Sequence, residues 1–324
     1  MEKTEGLCMK IGVPKGLLYP DYHFFVETFF AGLGAEVINS PDTNREILDM
    51  GVKFCVDEAC LPIKVFHGHV GWLRGKCDAI FVPRIMRLRE GEYICPKFCG
   101  LTEMLENSIP GLPRLIGDPI YWTGEDGMRE WARKAGSLLT RDRERIGRAF
   151  ETAMKKYSGA KKGFNQRGYG IKVALLGHPY NVNDAFLNMQ LIRKLNQMGI
   201  GVITHEAVDD IHIDEEIKRL FKKPFWTFAR NTYGAAMHML RQGMIDGIVY
   251  VSSFACGIDS VVIEMIRLEL ESACSGSRMA EDFPFLVLKL DEHTGEAGLN
   301  TRIEAFADLL GRGMKREGYN TAYG

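Results

Sequence analysis

Several things are scarce or missing in this chain, and each absence removes a class of function. Across 324 residues there is no apolar run long enough to suggest a membrane-spanning helix. The first ten residues, Met1 to Lys10, lack the apolar stretch of a secretory leader, so a cytoplasmic protein is the expectation. Net charge is close to zero at −1, which leaves no basic field for nucleic acid. No two cysteines stand in a CxxC pair, and ribbon-type zinc sites and ferredoxin-type runs are both excluded by that. GxxxxGK[ST] and a GxGxxG after the first strand are absent, as are HExxH and GxSxG; the common phosphate-loop, dinucleotide, zinc-protease and serine-hydrolase routes find no support.

What is present is an ordinary globular composition, 46% hydrophobic and 26% charged, long enough for two domains. Met9–Val13 reads as a buried strand ending at Pro14-Lys15-Gly16, and Tyr22–Leu33 as a helix by the spacing of Phe25, Phe29 and Phe30. Ala35–Ile38 reads as a second strand. Thr43 with Glu46 suggests a capped short helix. Val52–Val56 and Ile63–Val70 read as further apolar segments, the first of them a strand, before the strand Ala79–Val82. Gly127–Tyr157 is charged, proline-free and helical in period. The pattern then returns: strand Ile171–Leu176, helix Asp184–Gln197, a strand at Val202-Ile203, helix Trp226–Arg241, strand Ile245–Val251, helix Val261–Glu271, strand Phe285–Leu290. Thr301-x-x-Glu304 looks like a capping box opening the last helix. Alternation of this kind predicts an α/β fold: two Rossmann-like parallel-sheet domains, residues 1–126 and 171–324, joined by a helical connector and linker at 127–170.

Eight cysteines, at 8, 55, 60, 77, 95, 99, 256 and 274, sit in a chain expected to live under reducing conditions, so disulfides are not the expected use. Cys8, Cys77 and Cys274 read as plain buried or incidental thiols. Cys60, Cys95 and Cys256 stand in loops beside Pro62, Pro96 and Gly257, where ligands of a parallel α/β sheet gather. Spacing alone leaves inert thiols and metal ligands both open. His67-Gly-His69 is a weak metal pair, expected on a loop or strand end. Gly177-His178-Pro179-Tyr180-Asn181 and Asp291–Gly298 are strand-end loops with convergent polar groups.

Taken in order, Ile11-Gly-Val-Pro-Lys15, Val56-Asp-Glu-Ala-Cys60-Leu-Pro-Ile-Lys64, His67-Gly-His69, Phe81-Val-Pro-Arg84, Tyr93-Ile-Cys95-Pro-Lys-Phe98, Leu176-Gly-His-Pro-Tyr180, Phe254-Ala-Cys256-Gly257 and Asp291–Gly298 with Thr301-Arg-Ile-Glu-Ala-Phe306 resemble the 2-hydroxyacyl-CoA dehydratase superfamily, and within it the stand-alone acyl-CoA dehydratase activase-related branch. The resemblance implies a [4Fe–4S] cluster on Cys60, Cys95 and Cys256, with one iron open to substrate. It implies an anaerobic, low-potential electron supply from an ATP-dependent activase that carries its own iron–sulfur cluster, and a homo- or hetero-dimeric partner. A related branch carries a double-cubane [8Fe–9S] cluster, for which Cys55 and Cys99, with Cys274 as a sixth thiol, keep room. Glu58, Lys64, His178 and Ser253 are the expected substrate-facing groups. Catalysis by a dehydratase or reductase and non-catalytic electron transfer both remain open, as does a member that has lost its cluster.

Overall fold

The computed structural model describes residues 8–158, 163–272 and 283–321. Cys274 lies outside them. The chain divides into two compact units, Met1–Lys161 and Lys162–Gly324. Among the described residues no helix is long and apolar enough to cross a membrane.

In the first unit four strands, β1 (Lys10–Val13), β2 (Glu36–Asn39), β3 (Ala79–Phe81) and β5 (Arg114–Ile116), form a parallel sheet in the order β2-β1-β3-β5. Two short strands, β4 (Ile85–Arg87) and β6 (Ile120–Tyr121), pair beside it. The helix Tyr19–Gly32 places Phe25, Phe29 and Phe30 on one face, as their spacing requires. They close on Trp131 from the helix Glu125–Gly136, with ring centroids 5.6–6.2 Å apart, and Phe150 from the helix Arg143–Ser158 meets Phe25 at 5.9 Å. Such offset and edge contacts add to the burial of the rings themselves. The helices between 125 and 158 thus bury their apolar faces on the first unit.

Two segments differ from the sequence expectation. Residues 52–54 belong to the helix Arg45–Phe54, and residues 63–70 to the helix Leu61–Leu73, which is buried on nearly every side. A short, all-round apolar window has no period to tell a buried helix from a strand. The cap of the first of these helices is Asn44, whose side chain accepts from the Ile47 N–H at 3.1 Å, not Thr43. The two helices press together at Gly51 and Gly68. A methyl group at Gly51 would stand 1.9 Å from the Lys64 carbonyl oxygen, and one at Gly68 1.9 Å from that of Ile47.

In the second unit β7 (Ile171–Gly177), β8 (Ile200–Thr204), β9 (Gly247–Ser253) and β10 (Phe285–Leu290) are again all parallel, in the order β10-β9-β7-β8. Numbered within each unit, both sheets run second, first, third, fourth. The likeness reaches single bonds: the Lys10 N–H donates to the Asp78 carboxylate and the Lys172 N–H to that of Asp246, each at 2.7 Å. Each aspartate returns its own N–H to the same lysine's carbonyl.

The helix expected over 184–197 is shorter, Leu191–Gln197, because Met189 and Gln190 take positive φ (55° and 61°) and break it. The last helix starts at Glu296, so Thr301 is interior to it and turns its hydroxyl onto the Ala297 carbonyl.

Candidate functional site

A parallel sheet of this order opens a crevice where the chain's connections leave in opposite directions, beyond the carboxyl ends of the two central strands. In the second unit those are β7 and β9. Their ends come close because residue 177 is glycine: its φ is +138°, and a Cβ there would lie 2.2 Å from the Val251 carbonyl oxygen. His178 follows at once and starts the short helix Pro179–Val182. Opposite, β9 ends in Ser252 and Ser253, Ala255 takes φ +61°, and Cys256 leads into the helix Gly257–Ser272 with Asp259 in its first turn.

These residues meet. His178 Nδ1 lies 2.8 Å from Asp259 Oδ1, with both side chains almost wholly buried, and one ligand atom each from His178, Cys256 and Asp259 lie within 4.8 Å of one another. The Tyr250 hydroxyl donates to Asp259 Oδ1 at 2.8 Å. Ser253 Oγ donates to Asn181 Oδ1 at 3.0 Å, and buried Asn188 holds the loop by donating to the Asn181 and Val182 carbonyls. Tyr180 stacks on the His178 ring at 5.1 Å, while Phe228 meets it edge-on. Burial alone pushes the Asp259 carboxyl up; the charge of His178 and the polar hydrogens of His178, Tyr250 and Ser252 outweigh it and hold the group below the usual carboxylate range. Behind them His205 is pushed down by burial, with the charge of His178 adding to the effect and that of Glu206 opposing it.

The geometry at His178 is unfinished. The 2.8 Å approach to Asp259 is an ion-pair distance, yet the N–H is poorly aimed, and neither ring nitrogen makes a well-formed hydrogen bond. Asp259 Oδ2 and Asn181 Nδ2 are likewise buried without one.

In the first unit Cys60 immediately precedes the helix Leu61–Leu73 and Cys95 the short helix Pro96–Cys99, each with proline in the first turn. Cys60 therefore follows a helix and a turn, where a strand was expected. Burial pushes the Cys95 thiol up, as do the charges of Cys60 and Cys99, against the backbone N–H and charge of Lys97. Burial also raises Cys55, which feels Lys64, Cys60 and Lys97. Cys55 and Cys95 thus share Cys60 and Lys97 as charged neighbours. Lys64 is 2% exposed on the buried helix, whereas Glu58 lies exposed on the turn before Cys60. Cys8 and Cys77 are engaged elsewhere, their thiols turned to the carbonyls of Gly34 and Leu73.

The family profile of the CoA enzyme activase uncharacterised domain (DUF2229) matches residues 10–208, more than half of the chain. The chain belongs to this family. No curated protein matches it. The matched stretch of this activase-related chain contains Cys60, Cys95 and His178, while Ser253, Cys256 and Asp259 lie beyond it.

Two other sequence candidates take structural places. His67 and His69 ride on the buried helix, not on a loop; two residues apart there, they face different neighbours. His67 Nδ1 bonds the Ile63 carbonyl at 2.8 Å, and His69 sits between Ser40 Oγ (2.9 Å) and Thr43 Oγ1 (3.1 Å). Residues 291–298 begin as a self-capped turn, in which the Asp291 carboxylate accepts from the His293 N–H and the Thr294 hydroxyl, and Glu296 pairs with Lys194 at 2.6 Å. Sequence reasoning missed Asp259 and Tyr250. The available signal was an aspartate three residues past Cys256, where a first helical turn folds back on the loop.

Proposed function

We propose that this activase-related chain is an iron–sulfur protein of the 2-hydroxyacyl-CoA dehydratase type, accepting low-potential electrons from an ATP-dependent activase and acting on a small molecule or acyl-CoA. The proposed ligands of a [4Fe–4S] cluster are Cys60 and Cys95 of the first unit and Cys256 of the second. The observation that carries this reading is that Cys55 and Cys95 both feel Cys60 and Lys97, Cys55 also Lys64 and Cys95 also Cys99, in a chain of this family.

The donors suit the group. Thiolates are the ligands of iron–sulfur clusters, and the two lysines offset part of the negative charge that thiolates bring. Without metal, burial keeps Cys55 and Cys95 as neutral thiols, so metal binding releases protons. When bound, such a cluster supplies one-electron transfer and, at an iron without a thiolate, Lewis acidity. Around Cys256, the buried imidazole of His178 is placed to exchange a proton with a ligand, and Ser253 with Asn181 offers it hydrogen bonds. Lys64 acts on Cys55, whose thiol its charge lowers against the effect of burial. Glu58, the remaining proposed substrate-facing group, lies exposed on the turn before Cys60.

Anaerobically purified protein is expected to contain about four irons and about four sulfides per chain, with a reducible EPR signal. Cys60→Ser and Cys95→Ser should each lose that signal and Cys77→Ser keep it. Folded protein without iron, or signals unchanged in both variants, would overturn the reading. The proximity of Cys55 to Cys60 and of Cys99 to Cys95 favours one second reading, a double-cubane [8Fe–9S] cluster, for which about eight irons per chain are expected. Substrate class is read by thermal shift: an acyl-CoA that binds the folded chain raises its midpoint with the logarithm of ligand concentration above Kd, and a flat response across acyl-CoA esters removes coenzyme A from the proposal.

A further inference from the structure

We propose that the second unit by itself binds a single divalent transition-metal ion through Cys256 Sγ, His178 and Asp259. This goes beyond the cluster reading, since it uses no residue of the first unit. One thiolate cannot serve both groups at once, so the ion belongs to the cluster-free chain.

Four observations support it. The three ligand atoms lie within 4.8 Å of one another. Bonds of roughly 2.0–2.3 Å at tetrahedral angles put ligand atoms roughly 3.3–3.8 Å apart, so capture needs the sulfur to close by at most about 1 Å and the 2.8 Å contact of His178 with Asp259 to open slightly. Rotation of the half-buried Cys256 side chain supplies a movement of that size. His178 and Asp259 are 2% and 1% exposed, yet both imidazole nitrogens and Asp259 Oδ2 are without hydrogen bonds. Buried polar atoms left this way are costly, and a cation bound by one imidazole nitrogen and by the carboxylate relieves part of that cost. The surroundings already orient the donors: Tyr250 fixes Asp259, while Tyr180 and Phe228 fix the plane of the imidazole. A sulfur, nitrogen and oxygen set selects Zn2+, Fe2+ or Co2+ over Mg2+ and Ca2+, which take oxygen ligands. Three protein ligands leave a fourth position for water or a small anion.

The test is titration of chelator-treated full-length protein with Co2+, followed by absorbance. The expected result is saturable binding of one Co2+ per chain, with a thiolate-to-cobalt charge-transfer band and the visible bands of a tetrahedral ion. Cys256→Ser should abolish the charge-transfer band, and its half-buried position makes the replacement safe for folding, which circular dichroism checks. Asp259→Asn should weaken binding at least tenfold while keeping the band. A Cys60→Ser/Cys95→Ser double variant should bind as the parent does. The proposal is overturned if no saturable binding occurs, if the band survives in Cys256→Ser, or if the first-unit double variant loses it. Iron and sulfide counting of anaerobic protein judges the cluster separately, so each reading can fail while the other stands.

Discussion

At Tyr250 the strand β9 spends a fully buried phenol on one hydrogen bond, to Asp259 Oδ1 at 2.8 Å. Replacing it by Phe keeps the ring and removes one donor to a buried carboxylate that His178 and Ser252 also approach. A hydrogen bond to a charged group contributes about 1.5–3 kcal/mol, so Tyr250→Phe is expected to lower unfolding free energy by about 2 kcal/mol in urea titration, with an unchanged m-value. A loss below about 0.5 kcal/mol would show that the hydroxyl is idle. Much of this site was legible residue by residue. Cys256, His178 and Ser253 stand out because cysteine, histidine and serine beside proline or glycine at strand ends are chemically conspicuous. Asp259 and Tyr250 do not. Tyrosine in a buried strand reads as core, and aspartate in a first helical turn reads as a dipole partner. Only the approach of β9 to β7 turns the two into a clasp on His178.

At the scale of elements, the glycines of the helix pair Arg45–Phe54 and Leu61–Leu73 decide how close the two axes come. The backbone of one helix occupies the space where a side chain of the other would stand, at 1.9 Å in both directions, and backbone does not yield as a side-chain tip does. Gly51→Ala therefore forces the helices apart and is expected to cost about 1–3 kcal/mol, against the roughly 1 kcal/mol that alanine gains over glycine in a helix free of contacts. Equilibrium denaturation settles the sign; a stabilised Gly51→Ala protein would mean that the pair is loosely packed. This contact also positions Cys55 and Cys60, which end one helix and begin the other, so the variant should disturb the first-unit thiols. The sequence concealed this element. An apolar stretch such as Leu61–Val70 that is buried on all sides carries no amphipathic period, so its helical nature emerges only from its partner. Strands flanked by glycine or proline, such as Phe285–Leu290, were readable to the residue.

Across the whole molecule, both sheets share one strand order, and parallel order with buried central strands is what the alternating pattern in the sequence predicts. The same burial that shapes the units leaves titratable groups inside them, and these set a pH window for stability. His69 is pushed down to about 3 by burial and by the charge of Lys15, and His67 and His205 are lowered as well, burial being the main cause in each. An unfolded histidine takes its proton near pH 6.5. Below that value the unfolded chain binds more protons than the folded one, so stability is full above about pH 6.5 and falls toward pH 3. Each such histidine adds a slope of up to about 1.4 kcal/mol per pH unit. On the alkaline side the order reverses. Cys55, Cys77 and Cys95 are raised by burial, so the unfolded thiols ionise first, near pH 8.5, and stability falls as pH rises past that point. Metal-free protein is therefore expected to be most stable between about pH 6.5 and 8.5. His69→Asn, which keeps a polar group between Ser40 and Thr43, should reduce the acid-side slope by about one proton while leaving the alkaline side as it was. Urea midpoints measured from pH 4 to 10 give both limbs; an acid limb of the same steepness in His69→Asn would show that this buried ring carries its proton in the folded state.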